Sequence, residues 1–177
     1  MLRGGDKLIR LLKVTTEGNI EETNCSPLEG HTYAINHVEF SKDGSILASC
    51  SLDGCTIIWN TTTLDGHLDS VPSACFSPDG EVIISVSYNA DFRIWSLEDY
   101  RCLYVKEDAH EHGIQNCDIS QNLEPIPNTE SDEFQFDQLE VKLWRSLQGH
   151  GGNVICVRFS KIVSEFVCST ATDRQAL

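Results

Sequence analysis

Short stretches of alternating apolar and polar residues, each closed by a turn signal, run along most of this chain. Val38 and Phe40 alternate with Glu39, and Lys42-Asp43-Gly44 then turns the chain. Ile46 to Ser51 reads as a second strand, Asp53-Gly54 as a tight turn and Thr56 to Trp59 as a third strand. Alternation of period two bounded by Asp-Gly turns is the pattern of antiparallel hairpins. It returns with Phe76, the turn Ser77-Pro78-Asp79-Gly80, Glu81 to Ser87, and Phe92 to Trp95. Cys102 to Val105 adds a fourth, outer strand to this second unit. No such outer strand is expected after Trp59, because only six residues separate it from Gly66.

The units are copies of one another. His31, His67, His110 and His150 each stand nine residues before a large apolar residue followed by Ser, at Phe40, Phe76, Ile119 and Phe159. Gly precedes three of these histidines and Ala109 precedes the fourth, with intervals of 36, 43 and 40 residues. Trp59 and Trp95 each lie 28 residues after their His, and Trp144 lies 34 after His110. A Trp at the same offset from His150 would fall at position 178, one past the last residue. A period near 40 residues with up to four short strands per copy is the sequence form of a propeller blade.

Composition narrows the function. The 177 residues carry 13 Lys+Arg against 27 Asp+Glu, a net charge of −14, which argues against nucleic acid or an anionic membrane as the main partner. Hydrophobic residues make up 40%, enough for a core, and no run approaches the length of a membrane span. The eight cysteines form no CxxC pair, and the start of the chain has no secretory pattern. They read as reduced thiols of an intracellular protein, cytoplasmic or nuclear.

The residues 28–60, LEGHTYAINHVEFSKDGSILASCSLDGCTIIWN, and 64–96, LDGHLDSVPSACFSPDGEVIISVSYNADFRIWS, resemble WD repeats. More narrowly, HTYA (31–34), LASCSLDG (47–54), IIWNT (57–61), RCL (101–103) and KEDAHEHGIQNCDIS (106–120) are similar to the WD-repeat, SAM and U-box domain family. The resemblance implies an all-β WD40-type β-propeller, incomplete or small, of about four blades with one degenerate. Residues 1–27 would end a preceding blade, with Leu12 in the Trp place. Full repeats would occupy 28–63 and 64–108, a degenerate one 109–146 with an acidic insertion at 121–138, and a partial one 147–177.

The resemblance also implies that certain polar residues are architecture. His31, Ser49 or Ser51, Asp53 and Trp59 would form a hydrogen-bond network inside one blade. His67, Ser85 or Ser87, Asn89 and Trp95 would repeat it, and His110, Trp144 and His150 would serve the later copies. A Ser, His and Asp together suggest a hydrolase, but a set that recurs blade after blade reads as structure, so no catalytic residue is assigned. His110, His112 and Cys117 fall short of a metal site, since His110 belongs to the repeat register. No metal, cofactor or small-molecule substrate is expected.

The stretch 107–140 holds ten acids and no Lys or Arg, and reads either as a solvated insertion or as a docking segment for a basic partner. The loops at the Gly-His end carry Tyr33, Leu52, Leu68, Asp69, Tyr88 and His112, and partner proteins are expected there, with Tyr33 and Tyr88 foremost. The expected function is a non-enzymatic scaffold for protein–protein interaction, by resemblance one that recognises substrates for ubiquitination machinery. A decoy competing with a longer relative is the alternative. Nothing in the chain resembles a SAM domain or a U-box.

Overall fold

The computed structural model describes residues 5–59, 62–120, 153–160 and 167–172. Within them every regular element is a β-strand and every pairing is antiparallel. Strands β5 (Ile35–Phe40), β6 (Leu47–Ser51), β7 (Thr56–Ile58) and β8 (Thr62–Leu64) form one four-stranded sheet in chain order. A second four-stranded sheet repeats it with β9 (Ser73–Phe76), β10 (Val82–Val86), β11 (Phe92–Ser96) and β12 (Cys102–Lys106). These are blades of a β-propeller, joined by tight turns and packed face to face. Among the described residues the sheets do not close into a ring.

The outer strand β8 corrects the expectation that the link after Trp59 is too short for one. Three residues suffice because Thr56↔Leu64, Ile57↔Thr63 and Ile58↔Thr62 pair across the turn. Leu64, 2% exposed, then anchors the strand in the core between the sheets.

Residues 5–29 form a long bent hairpin in front of the first sheet. Strands β1 (Leu8–Ile9) and β2 (Leu12–Val14) run against β3 (Ile20–Glu22) and β4 (Leu28–Glu29). The ladder breaks at Leu11, whose N–H finds the Ser26 hydroxyl and whose carbonyl accepts from Thr23 N–H. Leu12, in the place expected for a Trp, is exposed. A two-stranded sheet, β13 (Val154–Phe159) with β14 (Val167–Ala171), follows the second blade.

The period of two decides what each blade strand contributes. Strand β6 is buried along its whole length because it is covered on both faces. Ala48 and Cys50 point into the core shared with the second blade, where Ile58, Leu64, Val71, Ala74, Ile83, Trp95 and Leu97 meet them. Leu47 points the other way, into a smaller core with Ile9 and Ile35. Ser49 shares that second face, which places a hydroxyl beside the histidine of the preceding loop.

The inter-strand turn is also repeated. Ser41 donates to Asp43 at 2.6 Å and accepts from Ile46 N–H at 2.9 Å. Ser77, Asp79 and Val82 N–H make the same contacts in the second blade. Gly44 and Gly80 stand at φ +75° and +80°, the left-handed geometry that closes both turns.

Candidate functional site

The repeated polar residues meet inside each blade. In the first blade His31 Nδ1 lies 2.9 Å from Asp53 Oδ2, and His31 Nε2 lies 2.7 Å from Ser49 Oγ. Trp59 donates its indole N–H to the same Ser49 oxygen at 2.9 Å. The second blade has the same arrangement. His67 Nδ1 is 2.5 Å from Asp91 Oδ1, His67 Nε2 is 2.6 Å from Ser85 Oγ, and Trp95 Nε1 is 2.8 Å from Ser85 Oγ.

Donor and acceptor chemistry sets the direction of each relay. The indole can only donate, and the carboxylate can only accept. The indole N–H therefore donates to the serine oxygen, the serine O–H donates to Nε2, and Nδ1–H donates to the carboxylate. Every polar group is satisfied with the imidazole neutral. A second ring proton at Nε2 would face the serine hydroxyl's own hydrogen and break the chain.

The charges follow this logic. Burial pushes the His67 imidazole below its ordinary value, against the opposing pull of Asp91, and Arg93 adds to the depression. Burial pushes the Asp53 carboxyl up, but the N–H of Thr32, the His31 ring and the N–H of Cys55 outweigh it, so the group sits below its ordinary range.

Glycine before His31 and before His67 leaves room for the tryptophan and, in the second blade, for the arginine beside it. A Cβ on Gly30 would stand 3.2 Å from Trp59 Cη2, and one on Gly66 would stand 2.6 Å from Arg93 Nη1. Arg93 in turn covers the Trp95 ring, 6.0 Å from its centroid.

Three of the residues singled out by register lie elsewhere. The carboxylate of the second relay is Asp91, not Asn89. Asn89 occupies the turn position of Asp53, yet its side-chain oxygen is buried without a hydrogen-bond partner. The acid has moved two positions along the chain, to the place of Cys55, and reaches the same ring nitrogen from there. Ser51 and Ser87 do not touch the histidines. Ser51 Oγ donates to the carbonyls of Tyr33 and Ala34, and Ser87 Oγ to those of Asp69 and Ser70, pinning loop to loop.

His110 is exposed, and its Nδ1 accepts from His112 N–H at 3.2 Å. Both rings line an open cavity of about 400 Å³ with Asn116, Asn153 and Val157. Trp144, His150 and the acidic insertion 121–138 lie outside the described residues.

The serine–histidine–carboxylate geometry has no nucleophile that a substrate could reach. Ser49 and Ser85 are both 0% exposed, and each oxygen already accepts an indole N–H. A nucleophilic serine needs a free approach to its oxygen and a site beside it for the reacting atom.

The loops at this end of the blades form a continuous face. Leu52 N–H bonds Ala34 O at 3.0 Å, Tyr88 N–H bonds Ser70 O at 3.1 Å, and Ile114 N–H bonds Ser87 O at 3.0 Å. These bonds set the loops side by side and turn their large side chains outward. Tyr33 is 61% exposed, Leu52 47%, Leu68 88% and Tyr88 39%. Asp69 and His112 are exposed beside them. Lys7 Nζ sits 5.8 Å from the centroid of the Tyr33 ring.

Comparison with known proteins agrees with this geometry. The family model described as WD domain, G-beta repeat matches residues 22–60 and 61–96. Residues 22–96 thus carry two WD repeats. Each repeat begins one strand early: the match at 61–96 takes in β8, the outer strand of the first sheet, and ends with β11. Sequence repeat and sheet are thus out of phase, which ties neighbouring blades together covalently.

Two curated relatives are both named WD repeat, SAM and U-box domain-containing protein 1. The chain is 49% identical over 57 residues to the one from Gallus gallus and 50% identical over 56 residues to the one from Homo sapiens. Each match covers 32% of this chain and 11% of the relative. A component of chromatin assembly factor 1 from Schizosaccharomyces pombe is 37% identical over 60 residues, 33% of this chain and 12% of that protein. The chain therefore matches only about a tenth of the length of these relatives. No helix among the described residues is long and apolar enough to cross a membrane.

Proposed function

We propose that this chain is a non-enzymatic scaffold that binds partner proteins through the loop face bearing Tyr33, Leu52, Asp69, Tyr88 and His112, with Leu68 between them. The observation that carries the reading is the row of exposed large side chains on loops locked together by backbone bonds. Scattered apolar side chains on a surface need no explanation, but an aligned set on one rigid face marks an interaction site. Tyrosine adds contact area at low entropic cost and concentrates at interface hot spots.

Asp69 and Glu111 are exposed on these loops in a chain of net charge −14, so a partner with basic residues around an apolar anchor fits the face best. The U-box in the names of the two relatives supports a finer reading, in which the bound partner is a substrate delivered to ubiquitination machinery supplied elsewhere.

The experiment is quantitative affinity capture with the wild type, with Tyr33→Ala/Leu52→Ala/Tyr88→Ala, and with Lys42→Ala/Pro78→Ala on the opposite turns. Urea midpoints are measured for all three. Proteins captured by the wild type and the turn variant, but lost from the loop variant at an unchanged midpoint, support the reading. An identical set captured by all three overturns it.

A further inference from the structure

We propose that Cys75 and Cys117 form a redox staple that, when oxidised by hydrogen peroxide, bonds the segment 114–120 covalently to the second blade. Their sulfurs lie 3.5 Å apart. Among the described residues this is the one pair of cysteines in direct contact, and both are free thiols.

The surroundings fit a staple. Cys75 stands on β9, the innermost strand of the second blade, and is buried. Cys117 lies on an extended strip and is partly open to solvent. The strip is not a strand, and it docks by separate bonds. Ile114 N–H reaches Ser87 O, and Asn116 Nδ2 donates to Ser73 Oγ at 3.3 Å. On its other side it holds β13. Asn116 Oδ1 accepts from Val157 N–H at 3.1 Å and from Arg158 at 2.9 Å, and Asp118 Oδ2 accepts from Phe159 N–H at 2.7 Å. The two thiols thus sit where the strip, through Asn116 and Asp118, links β13 to the second blade.

The direction of the protons sets the order of events. Cys75 S–H points at the sulfur of Cys117, and Cys117 S–H points at Ile84 O. The Cys117 contact and burial both hold the Cys75 thiol protonated, so it is not the sulfur that attacks peroxide first. Cys117, the more open sulfur, attacks the peroxide oxygen. The O–O bond breaks, water leaves with the thiol proton, and Cys117 becomes a sulfenic acid. Cys75 sulfur then attacks Cys117 sulfur. The S–S bond forms, the S–O bond breaks, and the departing hydroxyl leaves as water with the Cys75 proton. Two thiols and one peroxide give one disulfide and two waters. The sulfurs close by about 1.5 Å to reach the ~2.05 Å of a disulfide, a shift that the strip can make more readily than the sheet.

The test uses the full chain with the exposed Cys25, Cys102 and Cys168 changed to Ser, which removes their intermolecular exchange. It is treated with hydrogen peroxide and then digested for peptide mapping. The expected product has lost two hydrogens and gives a single linked peptide joining Cys75 to Cys117. Its urea midpoint rises and returns to the starting value with dithiothreitol. Cys117→Ser abolishes both the link and the shift. The Cys75→Ala variant, with nothing to resolve the sulfenic acid, yields Cys117 oxidised to sulfinic acid. Sulfinic acid at Cys117 with Cys75 still present and free overturns the proposal. A linked peptide joining either residue to Cys50, Cys55 or Cys156 overturns it as well.

Discussion

Replacing Ser85 by Ala removes one oxygen and leaves two buried groups without partners. The indole N–H of Trp95 loses its acceptor at 2.8 Å, and His67 Nε2 loses its donor at 2.6 Å. Ser85 is 0% exposed and Trp95 only 4% exposed, so water does not replace either bond at the surface. An orphaned buried polar group costs about 1–3 kcal/mol, which places Ser85→Ala at roughly 2–6 kcal/mol. The equivalent change in the first blade, Ser49→Ala, costs less, because Trp59 is only half-buried and its indole can turn to solvent.

The assay is urea unfolding followed by tryptophan fluorescence and by far-ultraviolet circular dichroism, with slopes compared to confirm a common transition. A cycle sharpens it. In a Trp95→Phe background the indole donor is gone, so Ser85→Ala orphans only the histidine and its penalty falls by about 1–3 kcal/mol. A Ser85→Ala loss under about 0.5 kcal/mol, the range of neutral surface changes, would refute the relay as a stabilising network. So would a cycle in which the two changes add independently.

Four further outcomes are expected. Because burial depresses His67 in the folded chain, the unfolded chain takes up the proton first. The contribution of His67 is therefore fully present above its ordinary value of 6.5 and is lost as pH falls below it, measurable as a falling urea midpoint that His67→Gln flattens. Ala90 stands at φ +68° where the first blade has Gly54 at +83°, so Ala90→Gly raises stability by roughly 0.5–1 kcal/mol in the same assay. Gly113→Ala puts a Cβ 2.6 Å from the Tyr88 carbonyl oxygen, a backbone atom that cannot swing away. It loosens the 114–120 strip, at a cost of roughly 1–3 kcal/mol and with faster amide exchange at Ile114. Burial, with Asp53 and Asp65, pushes the Cys55 thiol up to about 11, so its alkylation by iodoacetamide stays slow at pH 8 and accelerates as pH approaches that value.

Much of the fold is written in local chemistry. Strands β5 to β7 and β9 to β12 follow from period-two alternation and the turns at Asp43-Gly44, Asp53-Gly54 and Asp79-Gly80, all of which act within a few residues. Strand β8 is not legible that way. Thr62–Leu64 has no alternation to display, and its place depends on Leu64 entering a core supplied by the neighbouring blade.

The relays are half legible. Histidine, serine and tryptophan recur at fixed offsets, but register does not choose between Ser49 and Ser51 or between Ser85 and Ser87. The pleat does not choose either, since 49 and 51 share a face; position along the strand decides, and Ser49 and Ser85 are the ones that lie against the rings. Register does not reach Asp91, because it holds the acid to the turn position. The available signal is Arg93 two residues on, whose Nε lies 3.5 Å from Asp91 Oδ2 in a buried pair. By repeat register the 114–120 strip is a first blade strand. Instead the side chains of Asn116 and Asp118 supply the acceptors that a strand's carbonyls would, and spacing does not reveal that exchange.

The direction of the relay separates architecture from catalysis, and long-range ¹H–¹⁵N spectroscopy of the histidine rings reads it directly. The expected result at pH 7 is that His31 and His67 are neutral rings with the proton on Nδ1, held by Asp53 and Asp91 and slow to exchange. Protons on Nε2, or rings that exchange as fast as the exposed His110 and His112, would contradict the account, because the serine oxygens would then not be locked between indole and imidazole.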